Sequence, residues 1–94
     1  MNKEEAKQII GAEIEQFRAK PYLELVQMIG AEPITVERTA PSGQCYQIEI
    51  EAFWDGKRNG DVRVVGCIDD GGLRAFVPLT DDFIKSSSNE FIGE

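Results

Sequence analysis

Through the first third of the chain, apolar residues recur every three or four positions. After Pro33 they recur every two. This change of period predicts helices followed by strands. In "NKEEAKQIIGAEIEQF", Ala6, Ile9, Ile10, Ile14 and Phe17 form one stripe, while Lys3, Glu4, Lys7, Glu15 and Arg18 fall largely elsewhere. An amphipathic helix over about 3–19, lying on a core, follows. Asn2 is placed to cap it, and Glu5 stands three residues on, as in a capping box. Gly11 lowers its intrinsic stability by up to ~1 kcal/mol relative to alanine. Pro21 interrupts the pattern and suits the first turn of a second helix, over about 21–29. Tyr22, Leu25, Val26 and Ile29 would face inward there, with Gly30 at the C-terminal cap.

Alternation beyond Pro33 predicts four strands, at about 34–40, 44–54, 61–69 and 72–79, joined by "APSGQ", "DGKRNG" and "DDGG". Short connections make them an antiparallel meander. Register follows from the turns, because a slip of one residue moves every side chain to the wrong face. A three-residue loop with Gly43 in the left-handed region sets Ala40 opposite Gln44, Val36 opposite Ile48 and Ile34 opposite Ile50. Asp70-Gly71 as a type I′ turn would set Ile68 opposite Leu73, Gly66 opposite Ala75, Val64 opposite Val77 and Val62 opposite Leu79. One sheet face is then continuously apolar and must be covered by the helices. Thr80 reads as the cap of a short helical turn over 80–85 holding Asp81 and Asp82. In the tail, 86–94, Phe91 and Ile92 are expected either to dock weakly or to fray. The fold class is therefore α+β, a single 94-residue domain with N-terminal helices packed on one face of a four-stranded antiparallel meander.

Composition narrows the function classes. A net charge of -7 repels phosphate backbones, and the ten Lys and Arg are scattered, so nucleic acid is not an expected partner. No stretch reaches the ~20 apolar residues of a membrane span. The opening "MNKEEAKQ" is too charged for a secretory signal. Cys45 and Cys67 lack metal spacing and the chain has no histidine, so no metal or cofactor is expected. Reduced thiols point to the cytoplasm.

The order of elements resembles the cystatin-like and nuclear transport factor 2-like architectures. The stretch from "FWD" through "VRVVGCIDDGGLRAFVPLTDDFI" also resembles a family of small uncharacterised bacterial proteins, which implies no functional residues to carry over. A cystatin inhibitor implies a Q-x-V-x-G hairpin, and "QCYQI" departs from it. Enzymes of the transport factor 2-like class imply a His/Asp or Tyr/Asp pair in a cone-shaped pocket. Without histidine the first is excluded.

Candidate chemistry is sparse. A calcium loop from Asp55 would put Lys57 at a ligand position and Gly66 at the twelfth, and one from Asp69 would put Thr80 there. Both read as hairpin turns. Glu49 and Glu51 share a strand face that Glu37 of the neighbouring strand can join, which is either a carboxylate pair for acid/base work or a solvated surface. Cys45 and Cys67 lie on the face away from the core. A catalytic thiol there lacks its histidine. That second face also gathers Phe53, Val65, Phe76 and Pro78 amid Arg63 and Arg74, with Val65 and Phe76 as cross-strand partners. An apolar centre in a charged rim describes a modest interface, a surface covered by the tail, or a few exposed hydrophobes. The expected function is a non-enzymatic interaction or ligand-binding domain, self-associating as a homodimer through Phe53, Arg63, Val65, Cys67, Arg74 and Phe76. The second reading is a small-molecule or enzymatic pocket between helix and sheet, lined by Tyr22, Tyr46 and Trp54. The third is an acidic inhibitor or immunity-type protein for a basic target.

Overall fold

A computed structural model describes residues 2–71 and 79–94. Two helices, α1 (Lys3–Arg18) and α2 (Tyr22–Met28), precede strands β1 (Ile34–Thr39), β2 (Cys45–Asp55), β3 (Asp61–Asp69) and β4 (Leu79–Lys85). The strands form one antiparallel sheet in the order β1-β2-β3-β4. This is an α+β fold with an open sheet.

The apolar stripe of α1 becomes core. Ala6, Ile10, Ile14 and Phe17 are buried, with Tyr22 and Leu25 of α2 beside them. They meet Tyr46, Ile48, Ile50 and Ala52 of β2, Val62, Val64 and Ile68 of β3, and Phe83 of β4. Asn2 caps α1, its side chain accepting from the Glu5 amide at 3.2 Å. The Glu5 carboxylate is turned to the sheet, where one oxygen accepts from the Tyr46 and Ser42 hydroxyls, both at 2.9 Å. Pro21 stands just before α2, at its N-cap.

Helix α1 approaches the sheet over Gly66. A Cβ at Gly66 would lie 2.8 Å from the Ile10 Cδ1 and 2.9 Å from the Ile14 Cδ1. The bare strand position is the groove that receives the helix. At the end of α1, the buried Lys85 donates from Nζ to the carbonyls of Arg18 and Lys20, each at 2.7 Å. A cation here satisfies terminal carbonyls and suits the helix dipole. Burial, with the Arg18 charge second, holds the Lys85 ammonium below the usual lysine range.

The first hairpin has the expected register. Ala40 donates to the Gln44 carbonyl at 2.9 Å, Gly43 has φ 90°, Val36 pairs with Ile48 and Ile34 with Ile50. The third connection does not. A type I′ turn needs positive φ at both central residues. Among the described residues, only Asn59 and Asn89 are non-glycines with positive φ, so Asp70 does not meet the requirement. Gly71, at φ 75°, instead donates its amide to Asp69 Oδ1 at 2.8 Å.

Val62 pairs with Lys85, Val64 with Phe83, Gly66 with Asp81 and Ile68 with Leu79. The expected pairing of Val62 with Leu79 is therefore wrong, as are the expected partners of Val64, Gly66 and Ile68. The expected strand over 72–78 lies outside the described residues. The helical turn expected over 80–85 is a strand, held in the ladder by pairing with β3 from Leu79 to Lys85. Phe83 and the Lys85 stem go to the core side and Ile84 to the other, whereas one helical turn would hold Phe83 and Ile84 side by side.

The tail folds back along β4. Ile92 donates to the Ile84 carbonyl at 2.9 Å, and Phe91 bridges to Lys85. The Phe91 ring meets Phe83 edge-on at 5.8 Å, with the Arg18 guanidinium 4.1 Å from its centroid.

Candidate functional site

Because the helices cover one side only, the residues between the buried ones form an open second face. Across it run the rows Thr35–Glu49–Cys67–Thr80, Glu51–Val65–Asp82 and Phe53–Arg63–Ile84. Phe53, Arg63, Val65 and Cys67 thus come together as the alternation implies. Arg74, Phe76 and Pro78 lie outside the described residues. The expected partnership of Val65 with Phe76 is corrected: Val65 faces Asp82 of β4. Phe53 is 46% exposed, and Val65, Cys67 and Ile84 are half-buried.

Charge on this face is one-sided. Among the described strand residues it carries Glu37, Glu49, Glu51, Asp55, Asp61, Asp69 and Asp82 against Arg63 alone. Seven acids and one base make -6, in a chain whose total is -7. Arg63 is held between two acids, with Nε 3.2 Å from Asp55 Oδ1 and Nη1 on Asp82. Burial, and then the hydrogen bond and charge of Glu49, push the Glu51 carboxyl above its usual range. Burial and the charges of Glu49, Glu51 and Asp69 push the Cys67 thiol up too. A thiol so placed stays protonated and is a poor nucleophile. A groove of about 530 Å³ runs over this end of the face, lined by Thr35, Glu37, Gln47, Glu49, Cys67 and Asp69 among others.

Among the described residues, no group of three or more His, Cys, Asp or Glu is placed to hold a metal ion. No helix among them is long and apolar enough to cross a membrane. No family model, curated protein or solved structure matches the chain.

Tyr46 lies at the opposite end of β2 from Tyr22 and Trp54. The Tyr22 hydroxyl donates to the Gly60 carbonyl at 2.7 Å, in the β2–β3 connection. That of Tyr46 donates to Glu5, near the β1–β2 turn at the other end of β2. Trp54 pairs with Val62 and packs half-buried on the core. Each tyrosine hydroxyl is engaged in holding elements together. Sequence reasoning missed how many acids share the open face. Glu37, Glu49 and Glu51 were legible, whereas Asp82 joins them only once β4 is a strand.

Proposed function

We propose that this protein is a non-enzymatic interaction domain whose open sheet face docks a basic protein. Seven acids against one base, among the described strand residues on the sheet face away from the helices, carry the reading. Such a face speeds encounter with a positive partner and disfavours a negative one. Phe53, Val65 and Ile84 supply the apolar contact, and the acids around them supply orientation. A partner's cation between Glu49 and Glu51 would favour the ionised Glu51, whose carboxyl burial and Glu49 hold above its usual range. A reducing compartment such as the cytoplasm suits the two free cysteines. The order of helices and meander is compatible with a cystatin-like arrangement, from which no activity is carried.

Self-association through the same face is the second reading. The exposed Phe53 favours it, and stacking two faces of charge -6 opposes it. The test compares two triple variants by fluorescence anisotropy with a lysine-rich peptide as probe. Glu49→Lys/Glu51→Lys/Asp82→Lys changes the open face. Glu4→Lys/Glu15→Lys/Glu90→Lys makes the same change in charge at exposed positions away from that face. Loss of binding in the first alone supports the reading, and equal loss in both overturns it. A wild-type dimer in sedimentation that Phe53→Asp turns into a folded monomer establishes self-association instead.

A further inference from the structure

We propose that the free edge of β1 takes up an extended segment of the partner as a fifth strand, and that this segment alternates basic and aliphatic residues. This rests on the basic-partner reading above. The two edges of the sheet differ. The tail pairs with the end of β4 through Phe91 and Ile92, whereas among the described residues no strand pairs with the outer side of β1, five of whose six residues are exposed. An uncovered edge is a template for an added strand.

The phase of that template follows from one bond. Ala40 donates to Gln44, and hydrogen-bonded pairs alternate along an antiparallel ladder. The backbone groups of Ile34, Val36 and Arg38 therefore point to β2, and those of Thr35, Glu37 and Thr39 point outward. The Glu37 carbonyl accordingly accepts from the exposed Arg38 Nη1 at 3.1 Å.

The side chains of an added strand would meet two different surfaces. Residues hydrogen-bonded opposite Thr35, Glu37 and Thr39 project over the open face, at the acidic groove of Glu37, Glu49 and Asp69. Residues between them project to the helix side. There a second groove of about 410 Å³ has Phe17, Met28, Ile34 and Ile50 in its floor, with Lys20, Glu24, Gln27 and Glu32 also lining it, and Ile34 is 39% exposed. Cations on one side and aliphatic groups on the other complement these surfaces. With the segment antiparallel to β1, its lysines direct their own amides at β1, and the aliphatic residues direct theirs away.

The probe is an acetylated ten-residue peptide alternating Lys and Val, measured by anisotropy and calorimetry on the whole chain. The proposal expects binding at least tenfold tighter than by a peptide of the same composition with its lysines at helical spacing. N-methylation of the lysine amides should abolish binding, and N-methylation of the valine amides should spare it. Thr35→Pro removes an outward donor without touching the β1–β2 ladder and should weaken binding at least tenfold with the thermal melt unchanged. Equal binding by both peptides and both methylated forms, still lost on Glu49→Lys/Glu51→Lys/Asp82→Lys, overturns strand addition and leaves the acidic face standing. Binding sensitive to lysine N-methylation but indifferent to those charge reversals overturns the acidic-face reading instead. A free protein of doubled mass that Thr35→Pro makes monomeric gives the edge to a second copy and overturns the proposal.

Discussion

The Lys85 ammonium sits 2.7 Å from the Arg18 carbonyl, so the last described strand finishes the first helix. With the Lys20 carbonyl also at 2.7 Å, one side chain closes the end of α1 against the edge of the sheet. Lys85→Met keeps most of the stem and strands two acceptors. It should cost about 1–3 kcal/mol in urea unfolding. The folded ammonium also loses its proton before the unfolded one does. Between the lowered value and 10.5 the unfolded chain binds more protons, so this group's contribution to stability rises with pH through that window. The methionine variant should lack the rise, and a neutral substitution with an unchanged pH profile would dismiss the role.

Gly66→Ala tests the seat of α1. The added methyl meets the δ-methyls of Ile10 and Ile14, and overpacking of this kind costs about 1–3 kcal/mol. Ile14→Val in the same chain should restore part of the loss, a coupling read by a double-mutant cycle. Additive effects would mean that the helix does not bear on this position.

Glu51→Gln should raise the melting temperature at pH 7. The Glu51 carboxyl titrates above its usual value of 4.5 in the fold, so the native state holds the extra proton. Its contribution to stability falls as pH rises from 4.5 through that raised value. The glutamine variant escapes the loss, and its advantage should vanish near pH 4. A variant less stable than wild type at pH 7 contradicts the repulsion between Glu49 and Glu51.

Cys67 reports on the same cluster. Its alkylation by iodoacetamide should follow a pH–rate profile displaced above that of an ordinary thiol. Neutralising the neighbouring acids through Glu49→Gln/Glu51→Gln should move the profile back down. If the profile stays put, burial alone sets the thiol.

Most of the fold is legible in local chemistry. Alternation in "QCYQIEIEAFW" and the Gly43 turn fixed β2 against β1, and the shared apolar face aligned β2 with β3. The third connection was misread because "DDGG" has the composition of a tight turn. The decisive property was the φ of Asp70, which composition does not carry. The aspartates of "LTDDFIK" then looked like a helix start. Within the ladder, Asp81 pairs with Gly66 and Asp82 faces Val65. The buried Lys85 had no sequence signal, since its partners are backbone carbonyls of a distant helix end. The open face was legible as a mixed surface around Phe53 and Arg63, and its net sign was not.

The two margins of the sheet end differently. The tail meets β4 near its last residues, where the Ser86 amide donates to the Glu90 carbonyl and the Ile92 amide to the Ile84 carbonyl. That bridge also brings the Phe91 ring edge-on to Phe83. A chain ending at Lys85 should therefore melt at a lower temperature than the full chain, and an unchanged melt would show that the bridge carries no stability. The tail thus works as a clasp, holding the end of the last strand to the core it helps to close.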